Sequence, residues 1–201
     1  MEDSTMRKVF GIATLLLAAT TSDLGKVVCN YGHLHTAKTT VPSGCTAVGI
    51  LGHVTETGHG LILALYDATD QTWNTIDGWT STTDYASTTL KVLPDLAARG
   101  AYLSFYRSLG ASPVSNWAVA QRNDYCQIFR NLGCDEKYAD FNSDVNAYIT
   151  GAGGNNLLDG HSDIYWSATG ISSNTAYVFS AYDGKEYKKE YTFHIRPVLG
   201  F

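Results

Sequence analysis

Ile164-Tyr165-Trp166-Ser167-Ala168-Thr169, then Ser172-Ser173-Asn174-Thr175-Ala176-Tyr177-Val178-Phe179, then Asp183-Gly184, and finally Ile195-Arg196-Pro197-Val198-Leu199-Gly200-Phe201 form one connected run of strand and turn chemistry. Ile164–Ser167, Ala176–Ala181 and Tyr191–Val198 are apolar or aromatic pieces of strand length, and Tyr182-Asp183-Gly184-Lys185 supplies a turn between the last two. In the central piece Tyr177, Phe179 and Ala181 alternate with Val178, Ser180 and Tyr182, so one face points inward and the other outward. Tyr165 and Trp166 carry large rings with polar handles, suited to pinning a loop-rich lobe to a core. Arg196 stands between apolar Ile195 and Pro197-Val198, which predicts a structural guanidinium paired with a carboxylate or carbonyl. Pro197 in a closing strand marks an edge or a bulge.

Upstream the texture is mixed. Lys26–Cys29 reads as a short strand, and Ala47–Val54 and Leu61–Tyr66 read as a hairpin joined by a Gly-bearing turn. Asp67–Leu90, rich in Thr, Asp, Ser and Trp, has no helical period and reads as loop. Pro94–Leu109 can form a helix ending before Gly110. A second helix is clearer, with Tyr125, Ile128, Phe129 and Leu132 at i, i+3, i+4 and i+7 and Gly133 at C′. That stripe is core. Gly151–Gly160 resembles a single turn of a calcium-binding nonapeptide repeat, but such sites need stacked copies, so the segment reads as a loop. The whole predicts one α+β domain over residues 21–201, with two helices and a twisted antiparallel sheet leading into a loop-rich C-terminal lobe.

The closing segment, with its order, spacing and terminal aromatic, resembles the family that carries a C-terminal "YWSST…SSN-A-W…NG…VRPV" signature. Asn116-Trp117-Ala118-Val119-Ala120 ahead of the Tyr125 helix resembles the strand that leads into that family's second helix, with Val119-Ala120-Gln121 replacing its Leu-Pro-Ser. The family comprises bacterial secreted proteins with a C-type lectin-like fold, including the C-terminal domains of Legionella collagen-like adhesins. It also includes gut-bacterial and phage proteins, some of them diversified by retroelements. The resemblance implies a C-type lectin-like fold and a non-catalytic binding role. Calcium-dependent sugar binding is not implied, because the Glu-Pro-Asn and Gln-Pro-Asp tripeptides are absent and Trp73-Asn74-Thr75 lacks the Asp. Formylglycine-generating enzymes share a related fold and use a cysteine pair near the C-terminal end, whereas the last cysteine here is Cys134. That enzyme type stands as an alternative, beside a structural subunit of a fimbrial or phage assembly.

Between the fixed pieces lie Ser172, Ser173, Asn174, Ser180, Tyr182, Tyr187 and Tyr191. Rigid amphipathic rings beside small hydrogen-bonding groups are the composition of binding surfaces, and equally of well-solvated loops. These seven residues are the candidate ligand contacts, while Tyr165, Trp166 and Arg196 are the candidate structural frame. Paired carboxylates at Asp67/Asp70 and Asp135/Glu136 read as solvated or capping groups, and no GxSxG elbow is present. No cofactor is expected.

The surrounding chain sets the context. With 44% hydrophobic and 16% charged residues, the 201-residue chain can bury a proper core. A net charge of −5 without a basic stripe argues against a nucleic-acid partner. Arg7-Lys8 precede the apolar run Val9–Ala19, which is followed by Thr20-Thr21-Ser22, and together they read as a secretory signal over residues 1–20. The run is too short for a membrane-spanning helix, which needs about 20 apolar residues. Export makes Cys29, Cys45, Cys126 and Cys134 candidate disulfide cysteines, with sequence locality favouring Cys29–Cys45 and Cys126–Cys134. A zinc site at Cys29, His33 and His35 competes, though the spacing matches no strong zinc pattern. The expected partner is a protein or glycan on another cell or matrix.

Overall fold

The computed structural model describes residues 19–29, 34–36, 47–56, 60–73, 119–134, 141, 143–158, 160, 162–181 and 185–200. The expected helix over Pro94–Leu109 and nearly all of the expected secretory signal lie outside them. Ala19, at the end of that signal, is buried in the core.

The described chain is α+β. Its first sheet holds β1 (Val27–Cys29), β2 (Leu34–His35), β3 (Ala47–Val54), β4 (Gly60–Ala64) and β10 (Val198–Gly200). They lie in the order β10-β4-β3-β1-β2, with every pairing antiparallel. The second sheet holds β5 (Ala68–Thr72), β6 (Tyr165–Gly170), β7 (Thr175–Phe179), β8 (Glu186–Lys188) and β9 (Thr192–Ile195) in the order β5-β9-β6-β7-β8. It is antiparallel except for one parallel bridge between Tyr165 and His194. Two sheets therefore replace the single late sheet expected from sequence. The split falls in the closing strand: β9 ends at Ile195, and after Arg196-Pro197 the chain enters the other sheet as β10. Proline has no N–H to continue a ladder, while its carbonyl accepts Ala64 N at 2.9 Å.

The β3–β4 hairpin forms as its sequence predicts, with Ile50 opposite Leu63 and Leu51 opposite Ile62. Helix α1 (Arg122–Asn131) packs on β3, β6 and β7. Its stripe of Tyr125, Ile128, Phe129 and Leu132 is fully buried. Close approach to β3 depends on Gly52, where a Cβ would lie 2.6 Å from an Ile128 methyl. Gly133 ends the helix at φ +102°, a left-handed conformation that glycine adopts without a steric penalty.

The elements that escape the sequence reading include a helix and a strand, besides the short β2 and β8. Helix α2 (Ser143–Gly151) buries only Val145 and Ile149, too few apolar positions to announce a helical period in an Asp/Asn/Gly-rich stretch. Strand β5, in the segment read as loop, has the polar sequence Ala-Thr-Asp-Gln-Thr and owes its conformation to pairing with β9.

Where α1 meets the second sheet, Tyr125, Phe129, Phe141, Tyr165 and Phe179 form an aromatic cluster around Phe179. Ring centroids stand 4.2 Å from Tyr125, 5.0 Å from Tyr165 and 5.3 Å from Phe129. At the start of α1 the Asp124 carboxylate accepts the Gln121 amide at 2.9 Å, and burial pushes its pKa up to about 7 from an ordinary 3.8. The folded protein then holds a proton that the unfolded chain releases between those two values. Stability is therefore expected to fall as pH rises from about 4 to 7, by on the order of 1 kcal/mol per pH unit. Urea unfolding across that window, compared with Asp124→Asn, checks this: the difference between the two proteins should carry the slope and flatten above pH 7.

Candidate functional site

The frame of the C-terminal lobe is built on Arg196, which is fully buried. Its Nε lies 2.7 Å from Asp67 Oδ1, its Nη1 donates to the Ala64 carbonyl at 3.2 Å, and its Nη2 donates to the carbonyls of Asn155 and Asn156 at 3.0 and 3.1 Å. The planar fork thus joins the end of β4, the entry to β5 and the loop after α2, as a guanidinium can and an ammonium cannot. The backbone carbonyl of Arg196 accepts the Tyr125 hydroxyl at 2.6 Å. Asp67 therefore serves neither as a solvated group nor as a cap, which corrects the reading of that carboxylate from sequence. Burial pushes its pKa up, and the Arg196 charge pulls against that.

Tyr165 and Trp166 complete the frame. Tyr165 accepts the Leu158 amide at 2.9 Å and donates to Asp67 Oδ2 at 3.2 Å, so its hydroxyl pins the 154–158 loop over the same ion pair. Trp166 is fully buried with its ring 4.8 Å from that of Phe193. The loop receives further support from Asn146, whose side chain bonds both the amide and the carbonyl of Leu157. The Gly-rich 151–160 stretch therefore folds over a set of internal bonds.

The candidate ligand contacts divide into distinct groups. Ser172, Ser173 and Asn174 are exposed on the β6–β7 turn. The Ser172 hydroxyl is used within that turn, accepting the Asn174 and Thr175 amides at 3.1 and 3.0 Å. The β8–β9 turn lies beside it, since Lys189 N donates to Asn174 O at 2.9 Å and Thr175 pairs with Lys188. That turn presents Tyr191, 45% exposed, over Phe193. Tyr187 is half-buried with its ring edge-on to Phe193, behind the rim. Ser180 is buried at the end of β7, only 4% exposed, and a ligand on the outer surface does not reach it; this corrects its place among the contacts. Tyr182 lies outside the described residues.

Sequence reasoning missed three residues of this tip. Ile171 is 40% exposed beside Ser172. Trp73 is buried beneath, donating its indole N–H to the Ser167 carbonyl at 2.9 Å. The Lys189 ammonium covers the Trp73 ring at 3.8 Å, a cation–π contact. Trp73 sits just past an unexpected strand and Lys189 lies in the turn after β8, so neither carries a local signal of this contact.

Cys29 is disulfide-bonded, and its expected partner Cys45 lies outside the described residues. Cys126 and Cys134 remain thiols, which corrects the second local pairing. Cys126 lies inside α1, and Cys134 follows the left-handed Gly133 turn with its amide bonded to the Phe129 carbonyl at 2.9 Å. Among the described residues no cluster of three or more His, Cys, Asp or Glu could hold a metal ion, and no helix is long and apolar enough to cross a membrane.

No family model matches the chain, and no curated protein matches it. Among solved structures it is similar to a fimbrial protein from Bacteroides ovatus, at 15% identity and a TM-score of 0.44, over 89% of this chain and 48% of that one. The chain thus spans about half the length of that protein.

Proposed function

We propose that this chain is a secreted or surface-displayed recognition domain of the C-type lectin-like kind, non-catalytic, which contacts a protein or glycan ligand through the paired β6–β7 and β8–β9 turns. The observation that carries the reading is a contrast within one short segment. Tyr165, Trp166 and Arg196 are fully buried in ring contacts and polar bonds, whereas Ser173, Asn174 and Tyr191 stand exposed on neighbouring turns tied to each other through backbone. A rigid scaffold that displays Tyr, Ser and Asn costs little ordering entropy on binding, which is the physical requirement for a recognition surface. Substitutions confined to the tip leave the frame intact, so the same arrangement suits a loop diversified by a retroelement.

The test is a screen of the purified chain against a glycan array and a panel of matrix proteins, followed by variants. Tyr191→Ala is expected to weaken binding of any captured ligand by about 1 kcal/mol or more with unchanged thermal unfolding. Full binding by Tyr191→Ala and Asn174→Ala alike would move the site elsewhere. Stable polymers formed by the purified chain with no external ligand would instead favour the alternative of a structural subunit in a fimbrial or phage assembly.

A further inference from the structure

On the second sheet, away from the display turns, His194 of β9 meets two carboxylates from two other segments. Its Nδ1 lies 2.9 Å from Asp70 Oδ1 of β5, and its Nε2 lies 3.5 Å from Asp163 Oδ1 in the turn before β6. A neutral imidazole has one N–H and one lone pair, so it donates to one carboxylate and turns a lone pair toward the other; only the imidazolium presents an N–H to both. We propose that His194 is a proton-gated clasp that ties the turn before β6 to β5. With the proton present, the Asp70 contact is a charge-assisted hydrogen bond and Asp163 faces the cation at ion-pair distance. When the proton leaves, the shorter contact with Asp70 keeps the remaining N–H, and the Asp163 carboxylate faces a lone pair and separates.

Among the described residues, the other charged and titratable groups nearby are already engaged. Asp67, at the entry to β5, is held by Arg196 at 2.7 Å and by the Tyr165 hydroxyl at 3.2 Å, and it also feels the charge of His194. The Tyr165 ring lies 5.2 Å from the imidazole and covers it from β6. Asp163 also shapes its own turn, since its Oδ2 accepts the Gly160 amide at 2.9 Å and its amide donates to the Gly160 carbonyl at 2.9 Å. Release of Asp163 from His194 thus loosens a turn whose two reporter amides are known.

Hydrogen exchange at the Gly160 and Asp163 amides, corrected for intrinsic rate, is followed from acid to neutral pH while the His194 ring is titrated by NMR on the same sample. Protection is expected to fall about fivefold in step with loss of the ring proton. His194→Asn and Asp163→Asn should each remove the step. Unchanged protection through the ring's titration overturns the clasp, and so does a step of the same size in both variants. The wild-type titration decides the matter even if the His194 variant folds poorly.

Discussion

Arg196→Met is expected to destabilise the protein by about 3–5 kcal/mol, among the largest effects of any single change to this chain. The substitution removes a guanidinium that is fully buried and strands the Asp67 carboxylate, together with the carbonyls of Ala64, Asn155 and Asn156, with fewer donors. Leaving a buried charge without its partner costs more than the pair gains over an apolar substitute. The double variant Asp67→Leu/Arg196→Met should therefore recover a substantial part of the loss. Arg196→Lys should behave more like the methionine variant than like wild type, because one ammonium cannot span three segments. Urea unfolding of the three variants checks the series. A loss below about 1 kcal/mol for Arg196→Met would remove Arg196 from the centre of the lobe.

Trp166→Ala is expected to cost about 3–5 kcal/mol as well, by a different mechanism. The side chain is fully buried on the face of β6 opposite Tyr165 and packs against Phe193, which itself touches Tyr187 and Tyr191. Removing the indole opens a cavity beneath the ring chain that supports the β8–β9 turn. Stability by chemical unfolding and the near-ultraviolet circular dichroism of the aromatic cluster should both fall. Tyr191→Ala, at the outer end of the same chain of rings, should leave stability within about 0.5 kcal/mol of wild type. The pair of variants thus separates support from display.

Arg196 is legible in the sequence as a buried and paired cation, because it stands between Ile195 and Pro197 in an apolar strand. Its carboxylate is not legible: Asp67 lies in a polar segment far upstream, and only the pairing of β5 with β9 brings the two together. The hairpin of β3 and β4 and the stripe of α1 follow from local periodicity, which packing then satisfies. Helix α2, with two buried side chains, and β5, with a polar sequence, are set by tertiary contacts, which a local pattern does not record. On the β6–β7 and β8–β9 turns, Ser173, Asn174 and Tyr191 are exposed, as polar turn chemistry leads one to expect. Ser180 is not a surface residue: it falls on the alternating face of Ala176 and Val178, both fully buried, and is itself only 4% exposed. The Lys189–Trp73 contact spans two segments and has no counterpart in sequence spacing.

The central claim is that a fixed frame displays one recognition tip. Its most direct test is ligand capture on glycan and matrix-protein arrays by wild type and by the triple variant Ser173→Ala/Asn174→Ala/Tyr191→Ala, with thermal unfolding measured on both. The account expects a ligand held by wild type and lost from the triple variant at equal stability. Equal capture by both proteins would contradict it.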